Sequence, residues 1–113
     1  MAANQHLGAY GERRARQHYE RSGYEVLAQN WRCKTGEIDL VAARGDEVVI
    51  CEVKTRATNR YGLPVEAVDW RKQRRLRSLA AIFLREESVR AGRVRFDVVS
   101  ITSGKVDVIE NAF

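Results

Sequence analysis

Four consecutive apolar residues, Val48-Val49-Ile50-Cys51, run without a break into Glu52-Val53-Lys54. Side chains alternate across a strand, so an unbroken apolar run needs both faces covered. This predicts a central strand with helices on either side, in an α/β sandwich. The run then ends in charge. Glu52 and Lys54, two apart on a strand, share one face. An acid and a base at the tip of a buried strand cost desolvation energy unless something compensates them.

The remaining chain supplies the layers. Its 113 residues fit one compact domain, 1–113, and no stretch rich in Pro, Gly or Ser divides it. Leu7, Gly11, Ala15, His18 and Tyr19 recur at helical spacing and predict a helix from about Asn4 to Ser22. Ser22-Gly23 is its stop. Tyr24 to Trp31 reads as extended, and Glu37 to Ala43 as a strand. Arg44-Gly45-Asp46 is a turn into the strand Glu47 to Lys54. A connection that short makes the two strands antiparallel. Thr55 to Gly62 reads as a polar loop. Pro64 opens a long helix to about Glu87, with Val65, Val68, Leu76, Leu79, Ala80 and Phe83 as its apolar stripe. Arg93 to Ile101 and Lys105 to Ile109 close the chain as a hairpin around Ser103-Gly104. The order is αβββα-ββ, with a mixed sheet.

Charge and cysteine content narrow the partners. Lys and Arg number 20 against 15 Asp and Glu, a formal net charge of +5 and a surplus suited to phosphates. Cys33 and Cys51 form no CxxC pair, and His6 and His18 do not cluster with them at zinc-ligand spacing. No segment approaches the length of a membrane span, and Met1 to Gly11 lacks the apolar stretch of a signal peptide. A cytoplasmic protein with reduced thiols and no membrane partner is the expectation.

The chemistry centres on Asp39 and Glu52-Val53-Lys54. A hairpin through Arg44-Gly45-Asp46 brings Asp39 alongside Glu52. Two converging carboxylates beside a lysine suit a hard cation such as Mg²⁺ or Mn²⁺. They also suit phosphodiester hydrolysis, in which the cation activates water and the lysine offsets developing charge. On an exposed strand end the same triplet would be a solvated salt bridge, worth little.

The pattern Asp39…Glu52-Val53-Lys54 resembles the PD-(D/E)XK nuclease superfamily. More closely, Gly11-Glu12, Asn30-Trp31-Arg32, Gly36-Glu37-Ile38-Asp39-Leu40, Glu52-Val53-Lys54-Thr55-Arg56, Gly62-Leu63-Pro64 and Lys72-Gln73 together resemble the YraN-like family. Several blocks in one order, over nearly the whole chain, are more specific than the triplet. The resemblance implies a restriction-endonuclease-like fold, with an arrangement similar to archaeal Holliday-junction resolvases. Carried over, it implies Asp39 and Glu52 as metal ligands, the Val53 backbone carbonyl completing the shell, and Lys54 orienting water or stabilising the transition state. Glu12 matches the glutamate of the first helix, where it would hold a second metal or a metal-bound water; pairing with Arg16 at i+4 is the other reading. Ile38 stands where the superfamily name has proline. Glu37 shares a strand face with Asp39 and either assists the site or caps the strand in solvent.

Lys72 lies within the inward stripe of the long helix. It either snorkels along apolar surface or, with Gln73, points at the sheet beside Glu52 to touch phosphate, as the resemblance favours. Arg74 and Arg75, with Arg71 and Arg77, form a solvated face or a phosphate-contacting ridge. Arg56, Arg60 and Tyr61 follow the triplet and either contact a nucleic-acid strand or belong to a polar loop. Trp31 and Trp70 read as packing residues. Together these imply a metal-dependent endonuclease acting on DNA, branched or structured by resemblance, and a homodimer, since cutting both strands of a junction takes two sites. A non-catalytic nucleic-acid-binding module and an adaptor for a DNA-processing protein are the rivals, distinguished by whether Asp39 and Glu52 bind metal.

Overall fold

In the computed structural model, residues 2–56 and 68–113 are described, with side chains from residue 8 onward. Helix α1 spans Ala2–Arg21, followed by strands β1 (Glu25–Cys33), β2 (Gly36–Arg44) and β3 (Glu47–Arg56). Helix α2 spans Trp70–Glu86 and precedes β4 (Arg93–Thr102) and β5 (Lys105–Ile109). The strands form one sheet in the order β1-β2-β3-β4-β5. Only β3 and β4 run parallel; the other neighbours are antiparallel. The parallel pair needs a crossover, and α2 lies on it.

The expected central strand is β3, third of five. Val48 and Ile50 face α2, packing with Leu76, Leu79 and Phe83. Val49 and Cys51 face α1, packing with Ala15 and Tyr19. The sheet is thus covered on both sides, as its apolar run requires. The expected helices, strands and αβββα-ββ order are all present, with ends displaced by at most two residues except at the start of the second helix.

The helix ends follow their local chemistry. At the end of α1, Gly23 adopts φ +86°, while its N–H bonds Glu20 O and the Tyr24 N–H bonds Tyr19 O. That left-handed stop orients Tyr24 back into the core beneath α1. Helix α2 begins later than Pro64 suggests. Asp69 is its N-cap, accepting from the Lys72 N–H at 3.0 Å, so Val68 and Asp69 precede the helix. Pro64, Val65, Arg60 and Tyr61 lie outside the described residues, and the Leu7 side chain lies outside the described side chains.

Two irregularities shape the site. Ile38 and Val41 are three apart, yet both face α2. The alternation of β2 therefore slips once, at Asp39-Leu40. Strand β1 slips at the matching place: Ala28 and Trp31 both face α2, and Asn30 between them has φ +50°. Pairing of β2 with β3 also stops at Leu40–Cys51. Beyond that pair the two strands fork.

Candidate active site

Asp39 occupies the fork. Its Oδ2 accepts the Val53 N–H at 2.8 Å, taking the place of the next ladder bond. In a strand a residue's N–H and C=O point the same way, so the Val53 carbonyl opens into the same gap. Glu52, 5% exposed, comes from the α2 face of β3. Its Oε1 receives Lys72 Nζ at 2.8 Å and Lys54 Nζ at 3.4 Å. A buried carboxylate thus meets two ammonium groups, one from its own strand and one from α2.

Burial and the nearby Glu52 charge push the Asp39 carboxyl up to about 7, against the Val53 N–H, which favours the charged form. Lys72 balances burial, which pulls its ammonium down, against the Glu52 hydrogen bond and charge, which hold it above the ordinary lysine value. Two carboxylates thus share a largely buried corner, and cations from two elements compensate them.

The corner opens into a cleft of about 210 Å³ lined by Gly36, Glu37, Asp39, Glu52, Lys72, Arg75, Leu76 and Leu79. Glu37 lines it but is held by Arg32 across β1–β2 at 2.7 Å. Arg75 reaches the cleft from the basic face of α2. Glu12 approaches from α1: its Oε2 accepts from Asn30 Nδ2 at 3.1 Å. Asn30 lies between the Gln29–Leu40 and Trp31–Ile38 pairs, directly across from Asp39. Glu12 is therefore tethered to β1, on the other side of β2 from the fork, and is not among the residues that line the cleft. Arg16 pairs with Glu20 instead of Glu12.

Other expected residues lie elsewhere. Gln73 turns back to the Val68 carbonyl at 3.0 Å and holds the start of α2 instead of facing Glu52. Arg74 lies with Arg71 around the Trp70 ring, 5.8 and 5.3 Å from its centroid. Arg77 covers the rings of Phe96 and Phe113. Arg56 ends β3, its carbonyl accepting from the Ser103 N–H. Trp31 packs edge-on against Phe83, as expected. Trp70 does not pack: it is 59% exposed. As the first residue of α2 it points away from the stripe of Leu76, Leu79 and Phe83. Asn30 has no evident role in the sequence, although its block is visible; only its left-handed backbone and its place opposite Asp39 give it one.

Two carboxylates and a carbonyl in one fork fit a hard divalent ion. Magnesium takes one or two carboxylates and keeps several waters. Among the described residues no three His, Cys, Asp or Glu side chains group as a complete cage, so the remaining positions would fall to water and substrate.

A mixed five-stranded sheet between helices, with an acidic fork where its central strand parts from β2, has a restriction-endonuclease-like α/β fold. The chain belongs to the family described as Uncharacterised protein family UPF0102, matching it over residues 11–101; this is the YraN family that its motif blocks resemble. It is 48% identical to a UPF0102 protein of Rhodococcus opacus (strain B4), over all of both chains. It is 46% identical to one of Rhodococcus jostii (strain RHA1), again over all of both chains. It is 44% identical to one of Moorella thermoacetica, over 94% of this chain and 93% of that protein. Among the described residues no helix is long and apolar enough to cross a membrane.

Proposed function

We propose that this chain is a cytoplasmic nuclease dependent on Mg²⁺ or Mn²⁺ that hydrolyses phosphodiester bonds in DNA, with branched or structured DNA as the preferred substrate. The observation that carries the reading is the fork. Asp39 and Glu52 converge where β2 and β3 stop pairing, and two lysines meet the more buried carboxylate. A protein that only binds DNA has no use for converging carboxylates, which repel phosphate.

Asp39, Glu52 and the Val53 carbonyl would hold the cation. When bound, it supplies polarisation of a phosphate oxygen and a lowered pKa for water. The chain's own side chains do the rest. Lys54 and Lys72 place positive charge where the phosphate gains negative charge. Glu12, held on β1 by Asn30 outside the cleft, would accept a proton only through an intervening water. Arg75 borders the cleft and anchors a phosphate on the substrate side. Arg74 and Arg56 extend that basic surface, and Gln73 keeps Lys72 in place by fixing the start of α2. A homodimer, with two such forks, accounts for cutting both strands of a junction.

The test is cleavage of four-way-junction, flap, single-stranded and linear DNA in Mg²⁺ or Mn²⁺, beside Asp39→Ala and Lys72→Ala controls. Cleavage of one structure is expected, lost by at least about 100-fold in Asp39→Ala. Binding without cleavage by any of the three proteins would replace this reading with the non-catalytic module.

A further inference from the structure

Trp70 belongs to neither of the two core clusters. Among the described residues it is the one large hydrophobic side chain that stands exposed. It opens α2, two residues before Lys72, which is bound to Glu52. Arg71 and Arg74 hold their guanidinium carbons 5.3 and 5.8 Å from its ring centroid. From Trp70 to Arg85 the helix contains no acid. Cations in the first turn oppose the helix dipole, whose positive end lies there. That concentration of positive charge around an exposed indole complements a polyanion that also carries flat apolar groups.

We infer that Trp70, flanked by Arg71 and Arg74, is a stacking platform for an unpaired nucleobase of the substrate. It seats that base on the indole while the guanidinium groups take its neighbouring phosphates. Stacking tolerates any base, so the platform selects for strand state and not for sequence. A base inside an intact duplex cannot present its face, so duplex DNA meets the arginines alone. The inference rests on the proposed nuclease reading and narrows its substrate to nucleic acid with an unpaired nucleotide beside the bond that is cut. Trp70 acts in recognition only; it touches none of the reacting atoms.

The chain has two tryptophans, Trp31 and Trp70. A full-length Trp31→Phe variant therefore reports on Trp70 alone. Its fluorescence is titrated in EDTA with a short oligothymidylate and with a blunt duplex of the same length, so neither metal nor cleavage enters. Quenching by the single strand and binding of the duplex without quenching are expected. In the parent chain, Trp70→Ala should lose roughly 5- to 150-fold in single-strand affinity. Trp70→Tyr should keep it within a few-fold, with circular dichroism and Tm unchanged in both variants. Equal quenching by duplex, no binding of either oligonucleotide, or undiminished affinity in Trp70→Ala would overturn the platform. In the last case the patch would become a protein contact. A quench that persists in a protein unable to cleave sinks the nuclease and leaves the platform. Cleavage indifferent to Trp70→Ala sinks the platform alone.

Discussion

Asp39 sits where a carboxylate is hard to keep charged. Burial and the Glu52 charge raise its folded value from 3.8 to about 7, while the unfolded chain returns it to the ordinary range. The metal-free folded protein therefore binds a proton that the unfolded chain has already released. The stabilisation is full below about pH 4 and is lost as pH rises through about 7. Asp39→Asn preserves the shape and still offers an oxygen to the Val53 N–H, but removes the charge. In EDTA at about pH 8, the Asp39→Asn variant should thus give a higher Tm than the parent, and at about pH 4 the two should converge. Mg²⁺ at the higher pH should raise the parent's Tm and leave the variant's unmoved, because only the ionised carboxylate binds the ion. Thermal melts at the two pH values, with and without Mg²⁺, decide it. A variant less stable than the parent at the higher pH in EDTA would mean that the fork is a structural ion pair and not a site held ready at a cost in stability.

Among the elements, α1 is positioned most closely. Gly11 is buried against β3, and a Cβ there would stand 1.8 Å from Thr55 Oγ1 and 3.1 Å from Thr55 Cβ. Alanine is the better helix former by about 1 kcal/mol. Overpacking against a β-branched side chain with a stiff χ1 costs about 1–3 kcal/mol and lifts α1, with Glu12, away from Asn30. Gly11→Ala should therefore lose up to about 2 kcal/mol in urea unfolding. Paired with Thr55→Ala, it should recover most of that loss. An unchanged midpoint for Gly11→Ala alone would mean that the helix does not rest on Thr55. The face of α1 is legible in the spacing of Gly11, Ala15 and Tyr19, but its tightness is not. Spacing says which residues face the sheet and nothing about how near they come. The slips at Asn30 and Asp39 are hidden for a related reason. A period of two reads a strand as regular, and neither residue type announces a broken alternation. The sequence reading opens α2 at Pro64 because Val65 and Val68 continue its apolar spacing, whereas the structure caps the helix with Asp69. Trp70 reads as core because an aromatic at the start of a helix looks alike whether it turns in or out.

Among the described residues, two buried charge clusters look alike in sequence. Glu52-Val53-Lys54 and Arg95-Phe96-Asp97 each place opposite charges two apart on a strand. The first stands out, with Asp39, because it ends the most apolar run and because its motif resembles a known family's. The second does not, since nothing in an alternating charged strand distinguishes a buried pair from a wet one. Asp97 is 0% exposed, on the α1 face, opposite Cys51 of β3. It takes two bonds from Arg95 at 2.9 Å each, one from Tyr19 Oη at 2.6 Å and one from the Asn111 N–H at 3.0 Å. Arg95 continues to Glu47 at 3.1 Å, which Tyr24 Oη also meets at 2.7 Å. Every polar group here has a partner, and the network joins α1, β3, β4 and the C-terminal segment. The fork instead keeps one carboxylate shifted toward neutrality and opens to a cleft. The two clusters should accordingly respond in opposite ways. Asp97→Ala leaves Arg95 buried without its bidentate partner and should cost about 3–5 kcal/mol, a large share of the roughly 5–15 kcal/mol that holds a domain of this size. Below its lowered Tm, however, Asp97→Ala should still gain stability from Mg²⁺, because the fork is built from other residues. Chemical unfolding with and without Mg²⁺ measures both quantities. A cost under about 1 kcal/mol would remove the network from the list of what holds the fold, and a lost Mg²⁺ response in a folded variant would show that the two clusters are one coupled system.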